Sequence, residues 1–190
     1  MFRPVRVSAP TELPISVAHV KASINIDHSD DDALVDVLIR AAVVYLDGYS
    51  GTLGRCIVNQ VWRQNFACWA WRMRLPFPDI SSVSITYQDA DNATQIVPAA
   101  DFEVAEDAIG PVILFKTNFN SPSLYNDMAA PITVEFTAGY GTAADVPENL
   151  TIAIQLLVGH WYENREATGD AERLPFGLDM LIAPLRRNLL

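Results

Sequence analysis

The sequence predicts an α+β fold: a small helical bundle, made of an N-terminal helix pair plus C-terminal helices, with an inserted antiparallel β-rich segment. Three observations carry the prediction. Apolar residues recur at helical spacing before about residue 55 and again after about residue 146. Between these stretches they fall in short alternating runs separated by turn residues. The charge changes at nearly the same places: residues 76–148 hold one Lys/Arg against eleven Asp/Glu, which equals the whole formal net charge of −10. The expected organisation is an N-terminal helical part at 1–55, a β-rich insertion at 56–145 and a C-terminal helical part at 146–190 that packs with 1–55 as one domain.

The first helix is expected to start after an N-cap at Ser16 and to run to about Asn25, with Val17, Val20 and Ile24 on one face. A second follows Asp30-Asp31-Asp32, whose acids suit the positive end of a helix dipole. Its predicted stripe is Leu34, Leu38, Ala41, Tyr45 and Tyr49, and Gly48 and Gly51 end it. A short turn between the two predicts an antiparallel helix pair. Strands are predicted at Ile57–Phe66, Met73–Leu75, Val83–Tyr87, Ile96–Val97, Val112–Phe115 and Ile132–Phe136. They are punctuated by Pro76-Phe77-Pro78-Asp79, Asp89-Ala90-Asp91-Asn92, Gly110-Pro111 and Ser121-Pro122, short connections that favour antiparallel pairing. Helix returns with Pro147 in its first turn and Leu150, Ile154, Leu157, Val158, Trp161 and Tyr162 on a wide apolar face. A loop from Thr168 to Phe176 leads to a last amphipathic helix, Leu178 to about Asn188, with Leu181, Ile182, Leu185 and Leu189 on its apolar side.

Composition narrows the function. The 190 residues are 50% hydrophobic and 19% charged, enough to bury a core without disulfides or a structural metal. A net charge of −10 lacks the basic footprint of a sequence-reading nucleic-acid binder. The longest apolar candidate, Ile152–Tyr162, is interrupted by Gln155 and His160 and is too short to span a membrane. The opening Met1-Phe2-Arg3-Pro4-Val5-Arg6 lacks the apolar core of a signal peptide, so synthesis and retention in the cytoplasm are expected. Cys56 and Cys68 then read as reduced, half-buried small hydrophobes.

Catalytic and metal-binding patterns are absent from the sequence. It holds no P-loop, GxGxxG, GxSxG or HExxH, and His19, His28 and His160 lie on separate elements. Asp30-Asp31-Asp32 lacks the alternating ligands of a calcium loop and reads as helix capping, while Asp89 and Asp91 read as a hairpin turn. His160 has no evident catalytic partner, since Glu163 points elsewhere on the helix. Trp62, Trp69 and Trp71 read as core or subunit interface in preference to a sugar or base platform. No catalytic residue, cofactor or metal is expected.

Several blocks together resemble the head-tail connector (adaptor) proteins of tailed bacteriophages and gene transfer agents. They are Leu13-Pro14-Ile15-Ser16 with Val20-Lys21, Asp30-Asp31-Asp32-Ala33-Leu34, Tyr45-Leu46 through Tyr49-Ser50-Gly51, and Leu75-Pro76 leading into Val83-Ser84-Ile85-Thr86-Tyr87. Val134-Glu135-Phe136-Thr137-Ala138-Gly139-Tyr140 and Val146-Pro147 continue the series. His160-Trp161-Tyr162-Glu163-Asn164-Arg165-Glu166, Leu174-Pro175-Phe176-Gly177 and Leu181-Ile182-Ala183-Pro184-Leu185-Arg186 close it, in an order and spacing that cover almost the entire chain.

The resemblance implies a structural, non-enzymatic virion protein made in the bacterial cytoplasm. Its place would be a ring, typically dodecameric, below the portal, where it joins capsid to tail and continues the DNA channel. The implied partners are the portal protein, a stopper or other tail-neck protein and further copies of itself. DNA would pass without sequence-specific binding, and no membrane is involved. The family-motif residues would be His160, Trp161, Tyr162, Glu163, Asn164, Arg165, Leu174 and Pro175. The closing helix, with Leu178, Leu181, Ile182, Leu185, Arg186, Arg187 and Leu189, is expected to lay its apolar stripe against the portal or a neighbouring subunit. An acidic β segment would either repel DNA along the channel wall or form an outer surface, with the outer surface preferred. The alternatives are another neck component, such as a stopper or tail-terminator, and a small α+β ligand-binding module.

Overall fold

The computed structural model describes residues 2–164 and 176–187, and shows an α+β chain of two compact units. One, the β unit, contains residues 2–10 and 59–139; the other, the helical unit, contains residues 11–58 and 140–187 apart from the stretch 165–175. The predicted divisions near 55 and 145 therefore move: the helical unit extends to Val58 and resumes at Tyr140, and residues 2–10 belong to the β unit, with Val5–Ser8 as a strand of its sheet. Ile57, expected in a strand, is 1% exposed in the helical core, and its carbonyl accepts the Tyr140 N–H at 3.1 Å.

The β unit holds two antiparallel sheets. In the first, β1 (Val5–Ser8), β2 (Gln60–Phe66), β8 (Ile132–Ala138), β4 (Ile80–Gln88) and β5 (Thr94–Ile96) lie side by side in that order. In the second, the order is β3 (Arg72–Arg74), β7 (Gly110–Phe115), β6 (Phe102–Asp107). Alternation sets the inward face: Trp62, Gln64 and Phe66 of β2 pair across to Phe136, Val134 and Ile132 of β8, and all six are buried. The opposite face is polar, with Arg63 bridging to Glu135 at 2.8 Å and the Ser82 and Thr137 hydroxyls 2.9 Å apart. The sequence reading placed no strand at Val5–Ser8 or Phe102–Asp107. All four β1 residues are exposed and β6 buries only Phe102, which leaves neither with the buried alternate face that pattern reading needs.

Two of the predicted turns have a clear local cause. Asp89 Oδ1 accepts the N–H groups of Asp91 at 3.0 Å and Ala93 at 2.9 Å, and Asn92 takes φ 60° to close the β4–β5 hairpin. At the β6–β7 hairpin turn of the smaller sheet, Asp107 receives a two-pronged bond from Arg74, with Nη1–Oδ1 at 2.9 Å and Nη2–Oδ2 at 2.7 Å. That bond, with the Ile109 N–H, holds the Asp107 carboxyl far below its usual range. Its folded-state pKa is lowered, so the stabilisation it contributes is present above the unfolded carboxyl value of about 4 and is lost as pH falls further. Asp107→Asn should therefore lower stability at neutral pH, and the gap to the parent should shrink below about pH 4. Denaturant titrations at several pH values check this; a gap independent of pH would remove the ion pair as its cause.

The helical unit contains α1 (Val17–Ser23), α2 (Asp32–Leu46), α3 (Glu148–Glu163) and α4 (Phe176–Ile182). Ser16 caps α1 as predicted, its Oγ accepting the His19 N–H at 3.2 Å. Pro147 stands at the N-cap of α3, one place before the predicted first turn. The core row of α2 is Val35, Ile39, Ala42 and Leu46, all 0% exposed, whereas Tyr45 and Tyr49 of the predicted stripe are exposed. The segment is apolar on nearly every side, so spacing alone admits more than one stripe. These four side chains pack with Val20, Leu150, Ile154, Leu157, Val158, Leu178 and Ile182 in one core.

Candidate assembly surfaces

The closing helix is shorter than expected and differently used. α4 ends at Ile182 and passes into a single 3₁₀ turn, Ala183–Leu185. Pro184 lacks the N–H for the next helical bond, and its ring opposes continuation. Leu178 and Ile182 are both 0% exposed inside the unit's own core, and Leu181 and Leu185 pack against it. Of the stripe expected to dock on a partner, Leu178 and Ile182 are therefore covered by the chain's own core, and Leu181 and Leu185 are partly so. Leu189 lies outside the described residues.

The residues after α4 are fastened to the loop that follows α2. The Arg187 N–H donates to the Leu53 carbonyl at 2.9 Å, and an Arg55 guanidinium N–H donates to the Leu185 carbonyl at 3.2 Å. Arg186 reaches back to Asp179 Oδ1 at 2.8 Å. Asn149 Nδ2 donates to the Leu181 carbonyl at 3.3 Å. What α4 and its turn leave to solvent is the edge made by Gly177, Asp179, Met180, Ala183 and Pro184, with Met180 72% exposed.

The motif at the end of α3 is also a packing device. Trp161 packs against the helical core, and the Tyr162 hydroxyl donates to Asp31 Oδ2 at the start of α2. Asn164 closes the helix, its backbone N–H and Nδ2 donating to the His160 carbonyl at 3.0 Å and 2.8 Å. Asn164 Nδ2 also lies 3.3 Å from His160 Nδ1, while Glu163 is exposed. Arg165, Leu174 and Pro175 fall outside the described residues.

The acidic run behaves differently from a plain cap. Asp31 occupies the N-cap of α2 without a side-chain cap bond; its carboxylate takes Tyr162, and that of Asp32 pairs with Lys21. These carboxylates tie the start of α2 to α3 and α1, a role that sequence spacing does not reveal. Among the described residues, no three His, Cys, Asp or Glu side chains lie close enough to hold a metal ion. No helix among them is long and apolar enough to cross a membrane.

The tryptophans separate into three environments. Trp62 is 7% exposed and lies 4.7 Å from the Phe77 ring. Trp69 meets Tyr87, Phe115 and Phe119 edge-on and donates its indole N–H to the Pro122 carbonyl at 2.9 Å. Trp71 alone is exposed, at 60%. An open cleft of about 500 Å³ is lined by Glu12, Leu13, Pro14, Ile15, Ser16, His19, Ala143 and Thr151. Its carboxylate, Glu12, already accepts the Ala143 N–H at 2.8 Å, which leaves a mostly apolar recess without a convergent polar set.

Charge counted by unit corrects the acidic-insertion reading. The β unit carries six Lys/Arg against nine Asp/Glu; residues 11–58 and 140–187 carry seven against fourteen. Arg63, Arg72 and Arg74, upstream of the acidic stretch in sequence, lie in the β unit's own sheets, and Asp145 and Glu148 belong to the helical unit. The larger acid excess thus lies on the helical side.

The family model described as phage gp6-like head-tail connector protein matches residues 14–66. No curated protein matches the chain. Among solved structures, the chain is similar to one in the neck of an empty GTA particle computed with C6 symmetry, at 23% identity and TM-score 0.79. It is similar to one in the virion of a native gene transfer agent (GTA) particle, at 22% identity and TM-score 0.78, and to one in the neck of a native GTA particle computed with C12 symmetry, at 23% and 0.76. Each match covers 100% of this chain and 97% of the other. Residues 14–66 therefore carry the sequence pattern of phage gp6-like head-tail connector proteins, on a chain whose full length has the fold found in gene transfer agent particles and their necks.

Proposed function

We propose that the protein is a structural head–tail connector (adaptor) that forms a ring, dodecameric by analogy with the C12 neck, below the portal of a phage or gene transfer agent particle. The observation that carries this reading is the agreement of two independent likenesses: a connector-family pattern across 14–66 and a neck-chain fold across the whole length. The ring joins capsid to tail and continues the DNA channel, and the protein has no catalytic task. Its partners are the portal protein, further copies of itself and a stopper or other tail-neck protein. The chain is made in the bacterial cytoplasm and ends in the particle neck.

The portal-facing segment in this reading is the end of the helical unit, presented through Gly177, Met180, Ala183 and Pro184, the side of α4 that its own core leaves open. Arg186 and Arg187 flank that edge and remain part of the proposed surface. The acid excess of the helical unit suits a channel wall that repels phosphates and lets the duplex slide.

Native mass spectrometry of the purified chain, alone and with the portal protein of its particle, tests the function. A discrete high-order ring is expected in at least one condition. A monomer or dimer indifferent to the portal would overturn the connector reading.

A further inference from the structure

We propose that the outward face of α2 is a subunit contact in that ring, and that it receives the outward face of α3 from the next copy of this chain. The inference rests on the ring reading above. Its starting point is the composition of α2: from Ala33 to Leu46 the only charged residues are Asp36 and Arg40. They neutralise each other on the helix itself, with Arg40 Nε 2.8 Å from Asp36 Oδ2. The face therefore requires no external counter-charge, which disfavours a nucleic-acid or charged-headgroup partner.

Two apolar rows run along α2. The inner row is the buried one, Val35, Ile39, Ala42 and Leu46. The outer row is Ala33, Val37, Ala41 and Val44, all exposed, with Val37 at 59% and Val44 at 75%. At about 100° per residue the rows lie on opposite sides of the helix. A helix that is apolar all round is ordinarily covered all round, and in this chain only one side is covered.

α3 repeats the arrangement on a smaller scale. Ala153, Ile154, Leu157 and Val158 are 0% exposed, while Ile152 and Leu156, one turn apart, are 43% and 39% exposed on the side turned from the core. Elsewhere among the described residues of the helical unit, the large exposed apolar side chains are Tyr45 and Tyr49, at the end of α2 and just beyond, and Met180. α2 and α3 pack on each other through their buried rows, so the two outer rows are displayed to different sides of the unit. A ring of identical chains closes by joining one patch to a different patch on the next copy, and these two rows supply such a pair.

Cross-linking tests the pairing in the full chain, with Cys68 replaced by serine and the buried Cys56 retained. Val44→Cys and Leu156→Cys are made singly and together and treated with a short bis-maleimide under the conditions that give the ring. The double variant should yield a ladder of covalent multimers, and neither single variant should. A single variant that cross-links as well as the double would overturn the unlike-patch pairing. No ladder from a double variant that still forms a ring would overturn the surface assignment and leave the ring reading standing. No ring in the parent chain would overturn both. As an independent check, Val44→Glu lies on an exposed position and should keep the parent circular dichroism while raising the concentration for half-assembly about tenfold or more. Unchanged assembly of that variant would count against the contact.

Discussion

Replacing Leu178 and Ile182 together by alanine is expected to unfold most of the helical unit. Both side chains are 0% exposed in a core shared with Val35, Ile39, Leu150, Ile154 and Leu157. Each large-to-alanine change in such a place costs about 2–5 kcal/mol, so the pair costs about 4–10 kcal/mol. That is comparable with the whole stability of an ordinary domain, about 5–15 kcal/mol. Urea denaturation followed by circular dichroism should show the transition moved to far lower urea or lost. Met180→Ala, at a position 72% exposed on the same helix, should move it by less than about 0.5 kcal/mol. A double variant with the parent midpoint would mean that α4 contributes nothing to the core. The consequence for function is practical: failure of particles carrying deep changes in α4 would report misfolding, whereas Met180→Glu probes the proposed portal edge without touching the core.

The α+β class was legible in the sequence because helical spacing and strand alternation occupy separate stretches. Six of the strands fall on predicted runs; β2 and β8 alternate buried positions with more open ones, and β4 buries Ile85 beside exposed Ser84. β1 was not legible because an edge strand with both faces exposed leaves no pattern, and Arg3, Pro4 and Arg6 around it read as a solvated start. The stripe of α2 was misplaced for the opposite reason: Val37, Val44, Val35 and Ile39 are equally apolar, and only tertiary packing decides which pair turns inward.

The site was legible as a resemblance and not as chemistry. The closing stripe was read correctly as apolar, but an amphipathic helix that docks on a partner and one that packs on its own core have the same spacing. What separates them is the contact of Leu178 and Ile182 with α2 and α3, and the bonds from Arg55 to Leu185 and from Arg187 to Leu53, which join positions more than a hundred residues apart. The acidic start of α2 was similarly opaque. Its carboxylates find Tyr162 and Lys21, partners that no local motif names.

Gly51→Ala is expected to be the most damaging single methyl addition in the helical unit. A Cβ there would lie 2.2 Å from the carbonyl oxygen of Asp47 and 2.5 Å from that of Leu46. Both belong to backbone at the end of α2, so no side chain can swing away to make room. That backbone is itself committed. The Leu46 carbonyl accepts the Leu53 N–H at 3.1 Å, and the Asp47 N–H donates to the Val43 carbonyl at 2.8 Å. Asp47 Oδ1 accepts the Ile57 N–H at 2.7 Å. Relief of the clash must therefore displace Leu53 and Ile57, each 1% exposed in the core. Overpacking against fixed backbone costs about 3 kcal/mol, which in a chain of this size lowers the melting temperature by on the order of 10 °C. Gly177→Ala supplies the contrast, because nothing lies within 4 Å of its added Cβ and the position is helical. It should leave the melting temperature unchanged or raise it slightly, by the roughly 1 kcal/mol or less that alanine gains over glycine in a helix. Scanning calorimetry of the two variants separates the cases: equal melting temperatures would show that the loop after α2 yields freely, and that Gly51 is not needed to bring Leu53 and Ile57 into the core.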